Sequence, residues 1–317
     1  MRTLLRWTLF SLVLLGVAGD LLLVHALILR EPEPYAKEYA AVAPLAFPTS
    51  QTPLGERYLD LLKRRLVRFE LDGKVRTRPV VSPLNDWLAP THLEIVQADK
   101  VPQSAFENGS EYPAPEQSET MIGLRRLTQL QEATRDVLAR GVPGDFIECG
   151  VWRGGACILM RAALDVYGDK QRCVWAADSF EGLPRPNVAA YPRDAWWSKA
   201  NVDVASSLSL VKRNFEMYGW LDDRVKFLPG WFKDTLPAAP IEHLAILRID
   251  ADMYEGTREA LQFLYPKLSP GGIVIVDDYA VPTCKPAVDD YRREHHITEP
   301  INRVDWTGIF WQKANKP

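Results

Sequence analysis

Residues 144–156 read GDFIECGVWRGGA. Residues 146–149 have the length of a buried strand with an acidic residue, Glu148, near its end, and Gly150 leads from it into a glycine-rich turn that opens a helix around 155–167. Glycines at such a place let the backbone approach a ligand closely and turn a helix N-terminus towards it. The spacing is not GxGxxG, so the dinucleotide fingerprint is not met, and a glycine turn taken alone is often only a turn.

Outward from this segment the chain keeps alternating. Short apolar strands are predicted at 173–177, 225–228, 244–249 and 273–276, with helical patterns around 206–219, 255–265 and 284–295. Strand–helix alternation of this kind predicts an α/β domain with a doubly wound parallel sheet. Two more strands are expected near 301–304 and 307–311, joined tightly through Asp305 and Trp306.

In such a sheet, ligands bind at the carboxyl ends of the strands, so the residues that follow each strand carry the chemistry. The second strand runs into Ala177-Asp178-Ser179-Phe180. A carboxylate there suits the two hydroxyls of a ribose; a helix N-cap is the plainer alternative, since Asp and Ser both favour that position. Together with the glycine turn, the pair reads as a nucleoside site. The fourth and fifth strands add Asp250, with Asp252 two residues on, and the pair Asp277-Asp278. Hard oxygen ligands at one rim suit magnesium, manganese or calcium. Helix caps explain one acid comfortably and three converging ones poorly, because crowded like charges repel unless a cation lies between them. His295 and His296 fall on a later helix and His243 precedes its strand, so none joins the acids.

A net charge of -3 over 317 residues gives no electrostatic footprint for nucleic acid. The four cysteines form no CxxC pair and have no zinc-like spacing with histidine, which fits a reduced intracellular domain. Residues 7–29 are almost wholly apolar, follow Arg2 and Arg6, and are long enough to cross a bilayer as a helix, although Asp20 and His25 lie inside the run. A membrane anchor is the preferred reading over a helix packed on the domain or a partner subunit, or a signal cleaved after residue 19. Its orientation stays open, and a cytoplasmic main domain is expected. Prolines from Pro32 to Pro53 mark a linker, residues 56–70 (ERYLDLLKRRLVRFE) an amphipathic helix, and 71–118 a polar stretch with no clear assignment. In that helix Lys63, Arg64, Arg65 and Arg68 read as a solvated face before a lipid-binding one. Asn108-Gly109-Ser110 matches a glycosylation sequon that a cytosolic domain leaves bare. The expected organisation is therefore 1–30 anchor helix, 31–118 linker and helical lid or acceptor region, and 119–317 main domain. The sequence specifies no oligomeric state, and a homo-oligomer fits it.

In one order the chain carries ETMIGLRRL (119–127), GDFIECGVWRGGA (144–156), ADSFEGLP (177–184), FLPGWFKDTLP (227–237), RIDADMYEGT (248–257) and SPGGIVIVDDY (269–279). With this series it resembles the macrocin O-methyltransferase family, sugar O-methyltransferases of macrolide biosynthesis. The resemblance implies a class I methyltransferase (Rossmann-like) fold of seven strands with the last antiparallel. It implies S-adenosylmethionine as cofactor, with Glu148 and Gly150 at its methionine end, Asp178 on the ribose, Ser179 beside it, and Met121 and Ile122 covering it. Asp250, Asp277 and Asp278 match the family's ligands for Mg2+ or another divalent cation. The metal would bind neighbouring hydroxyls of a sugar-bearing small molecule, and Asp250 or an unplaced base would act catalytically by taking the proton. The acceptor is expected to be a sugar, glycolipid or polyketide. Two other readings are weaker. A nicotinamide-dependent oxidoreductase lacks its fingerprint, and a non-catalytic membrane scaffold would need neither the acids nor the glycine turn.

Overall fold

A computed structural model describes residues 49, 51–69, 75–79, 96–100, 103–108, 118–199 and 204–314. The predicted anchor at 7–29, most of the proline linker and most of 71–118 lie outside them. Among the described residues no helix is long and apolar enough to cross a membrane.

Helix α1 (Leu54–Leu66) buries Leu59, Leu62 and Leu66, the inward stripe that its spacing predicts. Strands β1 (Val75–Pro79) and β2 (Val96–Lys100) form a two-stranded antiparallel ladder, and the short helix α2 (Gln103–Asn108) follows. The main domain then alternates: α3 (Leu124–Ala139), β3 (Asp145–Cys149), α4 (Gly155–Val166), β4 (Val174–Asp178), a 3₁₀ helix (Pro192–Lys199), α5 (Leu208–Met217), β5 (Val225–Pro229), α6 (Phe232–Thr235), β6 (Leu244–Ile249), α7 (Tyr254–Leu264), β7 (Leu268–Val276), α8 (Cys284–Glu294), β8 (Asn302–Arg303) and β9 (Ile309–Gln312).

Seven of these strands form one sheet in the order β5-β4-β3-β6-β7-β9-β8. The pairs from β5 to β7 are parallel, while β9 runs antiparallel to both β7 and β8. The sheet is thus mixed, doubly wound and of the class I methyltransferase type. Period-two alternation sends Phe146, Ala176 and Ile246 into one apolar layer, with α1, α3, α4 and α5. Ile147, Trp175 and Leu247 go into the other, with α7 and α8. A parallel strand covered on both faces reads as a continuous apolar run, and all six residues of β6, LAILRI, are buried.

Element boundaries agree with the sequence reading to within a few residues except in β7. That strand starts at Leu268 and continues through Ser269-Pro270-Gly271-Gly272, which reads as a turn. The pairing with β6 shifts register between Leu244 and Ile246, and Gly271 takes φ +80 on the other side, so the extra residues are absorbed as a bulge.

Candidate functional site

The strand ends are held in step by a ladder of backbone bonds. Gly230 N–H donates to the Asp178 carbonyl (2.9 Å), Gly150 to Ala177 (2.9 Å), Asp250 to Cys149 (2.8 Å) and Asp277 to Ile249 (2.9 Å). Because successive strands share one level, the residue just beyond each of them faces the same rim. The chain passes from β3 to β4 on one side, while β6 lies on the other, so β3 and β6 flank the crevice where an open α/β sheet takes its ligand. Gly150 occupies that crevice at φ +89, and a Cβ there would lie 1.7 Å from the Asp250 carbonyl oxygen. Only glycine allows the two strand ends to meet this closely.

Beside Gly150 opens a cavity of about 360 Å³, whose lining includes Met121, Gly150, Asp178, Ser179, Trp231 and Asp250. That size is in the range of small-molecule and cofactor sites. Asp178 is more committed than its sequence position suggests. Its Oδ2 accepts from Val151 N–H (2.6 Å) and Trp152 N–H (3.2 Å), and its Oδ1 from Phe180 N–H (2.7 Å). The carboxylate therefore holds the glycine turn and its own loop while facing the cavity. Ser179 Oγ donates to the Gly182 carbonyl (2.8 Å) and shapes the same loop. The segment before α3 docks on the start of α4, where Gly155 N–H donates to the Glu119 carbonyl (2.9 Å); this brings Met121 to the cavity wall, while Ile122 is buried in the core.

Glu148 lies elsewhere. It is 2% exposed, outside the cavity lining, and its carboxylate accepts from Arg248 Nη1 and from the Cys157 thiol (2.9 Å). Burial pushes its carboxyl up to about 7, against the pull of Arg248. Arg248 also donates to Asp250 Oδ2 (2.9 Å) and to Asp277 Oδ1, so Glu148 shares its guanidinium with the acids of the rim.

Asp250, Asp277 and Asp278 meet as the sequence predicts: one carboxylate oxygen from each lies within 4.8 Å of the others. The three differ in their surroundings. Asp277 is held on both oxygens, by Arg248 on Oδ1 and by Arg126 on Oδ2. Asp278 Oδ2 is buried and receives no hydrogen bond, and burial next to Asp250, Asp252 and Asp277 pushes this carboxyl well above the usual range. Burial beside Asp250 and Asp277 brings Asp252 up to about 8. Two guanidinium groups do not balance these acids, and an orphaned buried oxygen among them fits a hard divalent cation.

Over this rim lies the 3₁₀ helix. Asp194, fully buried, accepts from Tyr254 N–H (2.7 Å) and Glu255 N–H (3.0 Å), so it caps α7 from a distant part of the chain. Trp197 Nε1 donates to Thr283 Oγ1 (3.1 Å), whose hydroxyl donates to the Asp252 carbonyl (2.5 Å).

Arg126, Arg248 and Asp194 were not anticipated as parts of the site. A lone arginine in the otherwise apolar LAILRI was a readable signal, since an arginine buried in a sheet must be paired. Arg126 follows Arg125, and the sequence gives no sign of which one turns inward. Asp194 sits in a stretch without periodicity.

A model of the family described as Macrocin-O-methyltransferase (TylF) matches residues 55–313. The match begins upstream of the motif series and takes in α1. The mycinamicin III 3''-O-methyltransferase of Micromonospora griseorubida is 43% identical over 263 residues, covering 82% of this chain and 97% of that protein. The 8-demethyl-8-(2,3-dimethoxy-alpha-L-rhamnosyl)-tetracenomycin-C 4'-O-methyltransferase of Streptomyces olivaceus is 52% identical over 200 residues, covering 62% of this chain and 77% of that protein. Among solved structures, the O-methyltransferase NovP superposes with a TM-score of 0.71 at 40% identity, over 82% of this chain and 100% of that one.

Proposed function

The chain belongs to the macrocin O-methyltransferase family and is an O-methyltransferase; on that footing we propose that it moves the methyl group of S-adenosylmethionine to a hydroxyl of a sugar, glycolipid or polyketide acceptor, with help from a divalent metal. The observation that carries this reading is the contact of Gly150 with Asp250, which sets the turn of a nucleoside-cofactor site against the first of the clustered acids. The acceptor class is drawn from the relatives named for mycinamicin and for a rhamnosyl tetracenomycin.

Asp250, Asp277 and Asp278 would hold Mg2+ or a similar ion, which when bound supplies a Lewis acid that lowers the pKa of a coordinated hydroxyl. Asp250 lines the cavity and is the natural acceptor for the hydroxyl proton as the oxygen bonds to the methyl carbon and the carbon–sulfur bond breaks. The turn at 150–154 and Met121 wall the donor side, and Asp178 fixes that turn. Holding both reactants against one rigid rim supplies the orientation on which such a transfer depends.

We read residues 1–30 as a membrane anchor, 31–118 as a linker with a helical lid or acceptor region, and 119–317 as the methyltransferase domain on the cytoplasmic side. The apolar run at 7–29 supports the anchor. Methyl transfer from labelled S-adenosylmethionine to a panel of sugar-bearing acceptors, with magnesium or with chelator, tests the chemistry. Absence of S-adenosylhomocysteine binding by calorimetry would end the reading. Sedimentation with membranes of the full chain, compared with one starting at Glu31, tests the anchor.

A further inference from the structure

Arg126 reaches the acid cluster from outside the sheet. It projects from α3, is 7% exposed, and donates in three directions. Its Nη1 donates to Asp277 Oδ2, its Nε to Asp305 Oδ2 (2.9 Å), and its Nη2 to the Asn108 carbonyl at the end of α2 (3.2 Å). Each outer partner is itself fixed. Asp305 Oδ1 accepts from Thr307 N–H (3.0 Å) and Gly308 N–H (2.7 Å), which sets the carboxylate within the turn between β8 and β9. Asn108 takes a second bond on its carbonyl from Trp306 Nε1 (3.2 Å) and one on its side chain from Arg125 Nε (2.9 Å). The alkyl stem of Arg126 packs against Gly308, where a Cβ would lie 2.9 Å from its Cδ.

We infer that Arg126 is a positioning residue: it fixes the orientation of Asp277 and makes that orientation depend on the docking of the end of α2 and of the β8–β9 turn. Arg248, the other partner of Asp277, comes from the neighbouring strand and ties the acid to the sheet itself. Among the described residues, Arg126 is the partner that joins it to segments outside the crevice. A guanidinium is suited to this because its planar fork serves several acceptors at fixed angles, which a lysine does not. Loosening either outer partner leaves Arg126 less restrained and so leaves Asp277 less well aimed. The inference rests on the reading of Asp277 as a member of the metal-holding cluster, and the experiment separates the two.

Full-length wild type and the variants Arg126→Gln, Arg126→Lys and Gly308→Ala are titrated by calorimetry with Mn2+ alone and with S-adenosylhomocysteine, and are melted. Gly308→Ala removes no charge: its Cβ would crowd the arginine stem (2.9 Å from Cδ) and, beside it, Asp305 Oδ1 (3.2 Å), so it disturbs the aim of Arg126 through its stem and its Asp305 anchor. In each variant Mn2+ affinity should fall by about tenfold or more, the scale for a group that orients a metal ligand, while S-adenosylhomocysteine affinity stays within about twofold. Unchanged Mn2+ binding in Arg126→Gln and Gly308→Ala overturns the inference. Equal losses of both ligands with a lowered melting temperature also overturn it, since they describe a merely structural residue. If the wild type binds S-adenosylhomocysteine but no Mn2+, the metal reading fails, and a melting cycle decides the inference independently. The effect of Gly308→Ala should then shrink in an Asp277→Asn background, and that coupling should vanish once Arg126→Gln is present. Additive effects throughout would overturn the link.

Discussion

Glu148 and Arg248 are register partners on adjacent parallel strands and form an ion pair with almost no exposure to water, at 3% and 2% of their side-chain surfaces. The folded carboxyl keeps its proton up to about 7, whereas the unfolded one releases it near its ordinary value of 4.5. Between those two values the native state binds more protons, so stability falls as pH rises through the window and levels off above it. Glu148→Gln cannot titrate. In metal-free buffer, the melting temperature of the wild type relative to this variant should drop between about pH 5 and pH 7.5 and then stay flat, given that burial sets the shift. A difference that grows over that range would refute the assignment. Arg248→Met should cost about 3–5 kcal/mol, the usual loss when one member of a buried pair is removed.

Asp178 accepts three backbone N–H bonds, two of them from the turn that follows β3. Its removal should loosen the cofactor turn as well as take away any ribose contact. Asp178→Ala is expected to lower S-adenosylhomocysteine affinity by about 10- to 100-fold, and to lower the melting temperature by several degrees, from the loss of charge-assisted bonds of about 1.5–3 kcal/mol. Normal affinity alongside a lowered melting point would mean that Asp178 only holds the turn.

The acids should separate from the cofactor in their effects. Asp250→Asn and Asp278→Asn are each expected to remove most methyl transfer, by about 100-fold or more if metal activation of the acceptor is lost, with cofactor affinity nearly unchanged. Chelation of the wild type should reproduce this, and magnesium should restore only the wild type. Asp278→Asn has a second readout. It replaces a carboxyl that burial and three neighbouring acids hold above the usual range, so the variant should melt no lower than metal-free wild type. Full transfer in chelator would exclude metal assistance.

Gly150→Ala tests the crevice itself. The residue combines φ +89 with the 1.7 Å approach to the Asp250 carbonyl, and the neighbour in the way is backbone. A left-handed non-glycine residue costs about 1–2 kcal/mol before any displacement. The variant should lose that stability or more, together with both S-adenosylhomocysteine and metal binding, because β3 and β6 must part. Gly141 also has positive φ, at +64, but nothing stands within 4 Å of its Cβ position. Gly141→Ala should therefore carry the backbone penalty alone and leave both ligands bound.

The rim was legible in the sequence for a physical reason. Each buried strand stops where apolar residues give way to an acid or glycine, and in a parallel sheet that boundary is also the ligand edge. Gly150, Asp178, Asp250, Asp277 and Asp278 all lie on it. The roles of those groups were less visible, because partners come from elsewhere in the chain. Nothing near Asp178 tells that its Oδ2 is taken up by the turn after β3, and nothing near Glu148 tells that its carboxylate accepts from Arg248. The β1–β2 ladder escaped notice for another reason. VRTRP and VQADK lack the apolar alternation of a half-buried strand, and the first ends in proline.

The 3₁₀ helix above the rim is fastened at two points, Asp194 on the first amides of α7 and Trp197 on Thr283. For enzyme engineering this makes the stretch between β4 and α5 a cassette with defined connectors. A foreign version that brings an acceptor of Tyr254 and Glu255 N–H and a donor to Thr283 should seat without alteration of the acids beneath. One that lacks the carboxylate would leave α7 uncapped, and the graft would fail in the scaffold before any new property of the segment was expressed.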